Sequence, residues 1–555
     1  MSEFLHRRGP DHFENVDISI SSDINLRLLS SALQLRGEVV CKQPLQDQNG
    51  NMLQWNGQIF DGEIFVSEYD SDTKILMNYL SKCNEDDEIL NVFSKIQGPW
   101  AFSYWNDKSK CLWFGRDIFG RRSLCWNVNE RSKLLMISSV TFDAQFDDGS
   151  AVVWEEIPAN GIYCLDLSSL TLNKFKHFNW DKRISGEIMN INFNQYLKSP
   201  ISIPLNQMLP HVDDLAKEIP NKVIEDFIDV LKSSVQKRCL NQQGLCKECF
   251  IRLNCQKYHD NDATDSEGDT IGNGSSLNSN FHLSICTHAS IAVLFSGGLD
   301  SAVLALLADE CIPKSLPIDL LNVAFDNEAP DRDTGLNAWN ELKLLRPDRM
   351  WNFVSIFISK EELQSTRKKH VKYLVKPSQT VLDDSIGCAL WFAARGKGLL
   401  LDDTSEAYSY TTQARVVLLG IGADEQLAGY SRHRRIFDKE GCSGLINELA
   451  VEIDRLSSRN LGRDDRVVSD HGREPRYPFL DENVVNFLNA LPIWHKCNLK
   501  LDRTAGEKLL LRKVAQRLGL YQTSQHLKRA IQFGSRIAKI EENHEKGNDV
   551  CSRLS

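Results

Sequence analysis

The chain has 555 residues, of which 42% are hydrophobic and 25% are charged, enough for more than one hydrophobic core. Its formal net charge of −10, without a long basic run, argues against nucleic acid or an anionic membrane as a partner and favours small-molecule substrates. No apolar run approaches the roughly 18 residues of a membrane span, and the first residues carry no apolar signal segment. Fifteen scattered cysteines are therefore expected to be reduced thiols in a cytoplasmic protein.

Three segments follow one another along the chain. Residues 1–165 alternate short β-rich runs with turns, as in Trp100-Ala-Phe-Ser-Tyr-Trp105, which predicts stacked β-sheets with few helices. Residues 166–220 show no clear periodicity and are interpreted as a connector. Residues 221–545 begin with a helical stripe and continue with alternating strands and helices, which predicts an α/β domain around a parallel sheet. Within this domain, the acidic and polar residues 256–280 are predicted to be a disordered surface insertion.

The strongest chemical signal is Ser296-Gly-Gly-Leu-Asp-Ser301, which lies between an apolar strand and an amphipathic helix. Its glycines let backbone N–H groups approach a pyrophosphate, the helix N-terminus adds partial positive charge, and the serines add hydroxyl donors. Asp300 would lie beside phosphates only through a Mg²⁺ ion, since two like charges need a cation between them. The plainer interpretation is an ordinary turn between a strand and a helix. The spacing differs from a kinase-type P-loop, which disfavours transfer of a γ-phosphoryl group.

This turn resembles the PP-loop of ATP-pyrophosphatases, which split ATP into AMP and pyrophosphate. Four further segments, in the same order along the chain, are similar to asparagine synthetases: Val416–Tyr430, Glu474-Pro-Arg-Tyr-Pro-Phe-Leu-Asp481, Gly506–Arg512 and Lys528–Ser535. The chain is identified on these motifs as a member of the asparagine synthetase family.

The resemblance implies a parallel-sheet, adenine-nucleotide α-hydrolase-like domain that binds ATP, Mg²⁺ and aspartate. It implies that Asp300 and Asp424 hold the metal and act in catalysis together with Lys528 and Arg529. The residues implied to contact ATP or pyrophosphate are Phe295, Ser296, Gly297, Gly298, Leu299, Ser301, Val323, Leu419 and Gly420.

The N-terminal segment resembles the class II glutamine amidotransferase domain of the same enzymes, an Ntn-type α+β fold of stacked sheets. The resemblance implies that Arg36, Asn56, Gly57 and Asp72 hold glutamine. A guanidinium and a carboxylate suit the charged ends of an amino acid, while Asn and a glycine N–H stabilise an oxyanion. The matching segments are Arg8-Gly-Pro-Asp11, Leu35-Arg36, Gln43-Pro-Leu45, Asn56-Gly-Gln-Ile-Phe60, Ser71-Asp-Thr73 and Gly115-Arg-Asp-Ile-Phe-Gly120.

Plainer interpretations stay open for single motifs. Pro478-Phe-Leu480 is also typical of core packing, and Lys508 with Arg512 of an exposed face of a helix. Asn56-Gly57 is also typical of a hairpin turn, and Asp72 of a helix cap.

Three features depart from the family pattern. The family's glutaminase uses an N-terminal Cys roughly thirty residues before the Arg-Gly-Pro-Asp segment, whereas Cys41 is the first cysteine here and Ser2 lies too close to Arg8 to replace it. Either the first strand is missing from this sequence or the domain does not hydrolyse glutamine, so we expect glutamine to be a poor nitrogen donor. Ile421 stands where the family has a Glu implicated in the attack of ammonia, and Leu419 where it has a Ser.

A zinc site is a minor alternative. Cys239, Cys246, Cys249, Cys255 and His259 are residue types that bind Zn²⁺ tetrahedrally. A single Cys-x-x-Cys pair beside a polar insertion gives weak support, so we interpret these cysteines as small core residues.

Four carboxylates are further candidates for the substrate side of the site. Asp383 and Asp384 stand where the family carries such residues, although adjacent carboxylates more often cap a helix. Asp331 and Asp333 follow a predicted strand of the second domain.

Three functional hypotheses follow from the sequence. The leading one is an ATP-dependent ligase that makes asparagine from aspartate and a nitrogen donor. The alternative is a divergent nucleotide-binding protein with a regulatory role and impaired turnover. Adenylation of another carboxylate or of a tRNA base is disfavoured, because Glu474–Asp481 and the amidotransferase-like segment both resemble asparagine synthetases.

Overall fold

The computed structural model describes residues 2–37, 39–146, 149–168, 175–180, 197–211, 213–240, 246–250, 286–401, 407–540 and 546–554. The predicted insertion at residues 256–280 lies outside the described residues. Within them, fourteen cysteines form no disulfide. Every described helix is too short or too polar to cross a lipid bilayer.

The N-terminal half is built on antiparallel strands. Its elements are α1 (Ser2–Arg8), β1 (His12–Ser19), β2 (Asn25–Ala32), β3 (Leu45–Gln46), β4 (Met52–Gly57), β5 (Asp61–Gly62), α2 (Asp72–Leu80), α3 (Asp86–Ser94), β6 (Ile96–Gln97), β7 (Trp100–Asn106), β8 (Cys111–Arg116), β9 (Cys125–Asn129), β10 (Leu134–Ser138), β11 (Glu155–Glu156), β12 (Gly161–Asp166) and β13 (Phe175–Asn179). The main sheet has the order β13-β12-β8-β7-β4-β3, beside smaller sheets β1-β2, β10-β9-β11 and β5-β6. The main sheet therefore extends into the segment interpreted as a connector.

Both faces of the main sheet are buried. On β7, Trp100, Phe102 and Tyr104 pack with α2 and α3, whereas Ala101 and Trp105 pack with strands of the two smaller sheets β1-β2 and β10-β9-β11. Side chains alternate between the faces of a strand, so one run of aromatic residues supplies two core layers. The prediction of stacked sheets with few helices is confirmed.

The C-terminal half alternates helices and strands. Its elements are α4 (Asn221–Leu240), β14 (Ile291–Leu294), α5 (Leu299–Cys311), β15 (Ile318–Ala324), α6 (Pro330–Leu345), β16 (Trp351–Phe357), α7 (Lys360–Thr366), α8 (Lys372–Val375), α9 (Val381–Arg395), β17 (Lys397–Leu401), β18 (Ala407–Thr411), β19 (Val416–Leu418), α10 (Ala423–Gln426), α11 (Ser431–Leu456), α12 (Gly462–Ser469), β20 (Glu474–Arg476), α13 (Glu482–Ala490), α14 (Ile493–Lys496), α15 (Arg503–Gly506), α16 (Leu509–Arg517), α17 (Ile531–Gly534) and α18 (Ile537–Ile540).

A seven-stranded sheet with the order β18-β17-β16-β15-β14-β19-β20 forms the centre of this half. Strands β16, β15, β14, β19 and β20 are parallel, as predicted. The sheet as a whole is mixed, because β17 and β18 add to its edge in antiparallel orientation. The prediction of a parallel sheet overlooked this edge, because helices α7, α8 and α9 join β16 to β17 and helical connections usually join parallel strands.

Buried arginines join the two halves. Arg121 Nη2 lies 2.5 Å from Glu482 Oε1 at the start of α13, and Arg121 Nε lies 3.0 Å from Asp117 Oδ1. Arg122 Nη2 lies 2.8 Å from Glu474 Oε2 on β20. Because these side chains are almost fully buried, each charge depends on its partner across the contact.

We predict that Arg121→Met strongly destabilises the protein. The methionine fills similar space but leaves the carboxylates of Asp117 and Glu482 buried without their cation, which typically costs about 3–5 kcal/mol of unfolding free energy. Chemical denaturation followed by tryptophan fluorescence measures the loss. Arg27→Met is the control. Arg27 pairs with Asp17 on the solvent-exposed surface, so its substitution should leave stability unchanged. Equal stability of the two variants would contradict the prediction.

Candidate functional site

The turn between β14 and α5 is shaped by its glycines and serines. Gly297 has φ of +74°, and a Cβ there would lie 2.3 Å from Thr334 O, so no other residue fits. Ser296 Oγ accepts the N–H of Gly298 at 3.3 Å, and Ser301 Oγ donates to Gly298 O at 3.1 Å. No described side chain caps the N-terminus of α5. Its first N–H groups are therefore left for an anion.

A cavity of about 470 Å³ opens beside this turn, at the carboxyl ends of β14, β15 and β19. Ligands of open α/β sheets bind outside the carboxyl ends of the strands. Of the residues implied for ATP, pyrophosphate, metal and catalysis, those that line the cavity are Phe295, Ser296, Gly298, Leu299, Asp300, Ser301, Val323, Leu419, Gly420, Asp424, Lys528 and Arg529. The remaining one, Gly297, packs against the backbone of α6. The structure thus brings these residues together, and what they bind stays a prediction.

Lys508 joins two of the predicted carboxylates. Its Nζ lies 2.6 Å from Asp300 Oδ2 and 2.6 Å from Asp424 Oδ1, and its side chain is only 3% exposed. Lys528 Nζ contacts the other carboxylate oxygen of Asp424. Lys508 has φ of +55°, which few residues other than glycine adopt, and its N–H donates to Leu427 O at 3.1 Å. This cluster therefore fixes α5, α10 and the start of α16 against one another.

These contacts also set the protonation of the cluster. Burial by itself would raise the pKa of the Asp424 carboxyl, but the charges of Lys508 and Lys528 outweigh it and lower that pKa. Burial would lower the pKa of the Lys528 ammonium, but Asp424 and Asp300 raise it. Asp424 is therefore ionised and Lys528 protonated at neutral pH, as binding of a metal and of phosphate oxygens requires.

The interpretation of Lys508 and Arg512 as an exposed face of a helix is wrong. Lys508 precedes α16, and the 3%-exposed Arg512 donates to Ser524 O at 2.6 Å and to Glu507 O at 2.7 Å. The only sequence signal for Lys508 was the resemblance of its segment to the family's basic segments. By contrast, Phe479 and Leu480 are fully buried, so core packing is confirmed for them.

The loop after β19 presents apolar side chains to the cavity. Leu419 is 2% exposed, and Ile421 packs at the edge of the same hydrophobic core. Next to them, Glu425 accepts hydrogen bonds from Tyr430 Oη at 2.6 Å and from the N–H of Gly422 at 3.1 Å. These bonds hold the Glu425 carboxylate in place within the loop.

The four further carboxylate candidates separate into three groups. Asp383 takes part in a capping box at the start of α9, as the plainer interpretation expected. Asp384 Oδ1 lies 2.9 Å from Arg367 Nε. Asp331 lines the cavity and is 6% exposed. Asp333 is exposed to solvent on the first turn of α6.

A second cavity, of about 130 Å³, lies in the N-terminal half and is lined by Arg36, Asn56, Gly57 and Asp72. Asn56 and Gly57 end strand β4 and do not form a hairpin turn. Arg36 Nη1 lies 2.9 Å from Asp72 Oδ1, and both side chains are buried. The two groups implied to hold the charged ends of glutamine therefore pair with each other here.

Two regions of the chain match known protein families. Residues 33–142 match the glutamine amidotransferase domain, and residues 438–521 match asparagine synthase. Human asparagine synthetase domain-containing protein 1 is 42% identical over 99% of this chain and 94% of its own length. The chain belongs to the asparagine synthetase domain-containing protein 1 family. A Drosophila melanogaster asparagine synthetase domain-containing protein is 31% identical, over 98% of this chain and 95% of its own.

Asparagine synthetases themselves are more distant relatives. The glutamine-hydrolysing asparagine synthetase of Gallus gallus is 22% identical, over 92% of this chain and 76% of its own length. Membership of the family confirms the prediction of an amidotransferase-like half followed by an asparagine synthase-like half.

We predict that Asp331 makes stability depend on pH. Burial raises the pKa of its carboxyl, the charges of Arg529 and Lys528 oppose this only in part, and the resulting pKa is about 7. An acid with a raised pKa in the folded state stabilises folding below its unfolded pKa and loses that contribution as pH rises to the folded value. Between pH 5 and pH 8, the wild type should therefore lose on the order of 2 kcal/mol of unfolding free energy that Asp331→Asn keeps.

Thermal unfolding of both proteins at the two pH values measures this gain. Asp333→Asn is the control, since Asp333 is exposed. The same difference in Tm between wild type and Asp331→Asn at both pH values would contradict the prediction.

Proposed function

We propose that the chain is an ATP-dependent, amide-forming ligase that resembles asparagine synthetase and acts in asparagine biosynthesis. The side-chain carboxylate of aspartate would attack the α-phosphorus of ATP, forming an acyl-adenylate and releasing pyrophosphate. Ammonia would then attack the acyl carbon and displace AMP, leaving asparagine. The observation that carries the proposal is the cavity in which the Ser296–Ser301 turn faces the Asp300–Lys508–Asp424 cluster.

Different groups lining the cavity would bind the different parts of ATP. Val323 lies on β15 and Leu419 directly follows β19, the two strands that flank β14, and they would offer an apolar surface to the adenine ring. The N-terminus of α5 and the hydroxyls of Ser296 and Ser301 would bind pyrophosphate oxygens. Lys528 would stabilise the charge that develops as pyrophosphate leaves, because a preorganised cation costs no rearrangement at that moment.

Asp300 and Asp424 fit Mg²⁺, which takes oxygen ligands and commonly binds through one or two carboxylates together with substrate phosphates. Both carboxylates contact the ammonium of Lys508 and line the same cavity, so their oxygens face a common point. When bound, Mg²⁺ would neutralise charge on the phosphates. Lys508 would keep both carboxylates in position and limit their mutual repulsion.

A second candidate function is favoured by Ile421. Its aliphatic side chain lines the cavity and can neither accept a proton from ammonia nor pair with ammonium. If the amide step is lost, the protein is a nucleotide-binding family member with a regulatory role. Arg36 and Asp72 pair with each other in the N-terminal cavity, which argues against the use of glutamine. We therefore propose ammonia as the nitrogen donor.

We predict that Asp300→Asn weakens binding of Mg-ATP by at least tenfold, which is about 1.4 kcal/mol. The amide keeps the shape of the side chain but removes one metal ligand charge. Without Mg²⁺, the same variant should bind ATP as well as or better than the wild type, because a negative charge beside the phosphates has gone. Isothermal titration calorimetry with and without Mg²⁺ separates these effects. Asp333→Asn is the matched control, and identical Mg-ATP affinity in all three proteins would remove Asp300 from the site.

We predict that adenylation outpaces amide formation in the wild type. Aspartate-dependent exchange of labelled pyrophosphate into ATP should be measurable, while asparagine forms slowly from ammonia. A positioned acid–base group typically contributes about 10²–10⁴ in rate, so Ile421→Glu should speed asparagine formation more than exchange.

Ile421→Gln controls for polarity without a carboxylate. Circular dichroism and ATP binding report whether the variants fold, because an unpaired buried carboxylate is itself destabilising. A wild type that makes asparagine as fast as it releases pyrophosphate would show that the missing Glu is dispensable. That result would reject the second candidate function, a nucleotide-binding protein with a regulatory role.

A further inference from the structure

Three cysteines and one histidine, none of which lines either cavity, meet at one point. The Nδ1 atom of His288 lies 3.5 Å from Cys246 Sγ, 3.7 Å from Cys249 Sγ and 3.7 Å from Cys286 Sγ. All four ligand atoms lie within 4.8 Å of one another. Cys246 and Cys286 are buried, Cys249 is partly buried and His288 is exposed.

Hydrogen bonding alone does not explain this arrangement. One ring nitrogen carries either one proton or one lone pair, so Nδ1 can make a single hydrogen bond, yet three sulfurs surround it at nearly equal distances. A tetrahedral Zn²⁺ with bonds of about 2.3 Å to sulfur and about 2.05 Å to nitrogen would separate these atoms by about 3.6 Å. The observed distances match that separation.

The local backbone supports a metal-bound sulfur. The N–H of Cys249 points to Cys246 Sγ at 3.3 Å, and the N–H of Phe250 donates to Cys246 O at 3.0 Å. The Cys-x-x-Cys segment thus turns on itself so that both sulfurs face the same point. Cys286 and His288 lie in the segment just before β14 and complete the set.

We propose that Cys246, Cys249, Cys286 and His288 bind a structural Zn²⁺ ion. Thiolate and imidazole are the ligands that zinc prefers, and four protein ligands leave no open position for catalysis. The interpretation of these cysteines as core residues is therefore replaced for Cys246 and Cys249. Cys239, on α4, is not part of the cluster, and Cys255 and His259 lie outside the described residues.

The site ties the Cys-x-x-Cys segment to the central sheet. The N–H of Lys247 donates to Gln413 O at 3.0 Å, and the guanidinium of Arg415 stacks over the ring of Phe250 at 4.3 Å, so the segment rests on the start of β19. His288 precedes β14, whose far end leads into the Ser296–Ser301 turn. Zinc would therefore anchor β14 and β19, two neighbouring central strands whose carboxyl ends border the cavity beside the Ser296–Ser301 turn.

The test measures zinc in the untagged, purified chain. Elemental analysis should find one zinc per chain in the wild type, while Cys249→Ser and Cys286→Ser should lose it. Cys442→Ser, at a partly buried cysteine on α11, is the matched control and should keep full zinc. A wild type that holds no zinc after incubation with Zn²⁺, or a Cys249→Ser variant that keeps it all, would overturn the proposal, as would a Cys246–Cys249 disulfide found by mass spectrometry.

A second measurement covers variants that fail to fold. Wild type loaded with Co²⁺ should show thiolate-to-cobalt charge-transfer absorption, and His288→Gln should shift the visible bands by replacing nitrogen with oxygen. A chelator should expose three additional thiols to alkylation and lower the Tm, and Zn²⁺ should reverse both changes. Absence of the thiolate absorption, or a spectrum unchanged in His288→Gln, would reject this set of ligands.

Discussion

A single buried ammonium group, that of Lys508, lies between carboxylates from two different elements of the C-terminal half. Asp300 comes from the first turn of α5 and Asp424 from α10, while Lys508 itself precedes α16. Buried charges are tolerated only in pairs, so none of the three segments can move without exposing or orphaning a charge. The geometry of the glycine turn and that of the loop after β19 are therefore set together.

The same rule operates at the contact between the two halves. Arg121 and Arg122 reach from the N-terminal half to Glu482 and Glu474, and Glu474 also lines the N-terminal cavity. Glu474 belongs to β20, which pairs with β19, and β19 leads to Leu419 in the cavity beside the Ser296–Ser301 turn. One pair of adjacent strands thus connects the two cavities through rigid, hydrogen-bonded backbone.

The Ser296–Ser301 turn was predictable because the glycines and hydroxyl groups that shape it come from consecutive residues. The alternation of apolar side chains likewise predicted stacked sheets and the parallel core of the second sheet. Lys508 was missed because its partner Asp300 is 208 positions away in sequence, and spacing alone placed it on a helix face. The same limit applied to Cys249, whose neighbour His288 lies 39 positions further on, across the polar insertion.

The clustering of Cys249 with Cys286 has a practical side. Their ligand atoms lie within 4.8 Å of one another, so the two described ends of this part of the chain, at Phe250 and Cys286, lie close together. Closing a loop becomes only slightly costlier in entropy as the loop lengthens, and insertions succeed best where both ends already meet. A fluorescent reporter or an affinity module inserted between these two ends would therefore not have to span a gap in the fold.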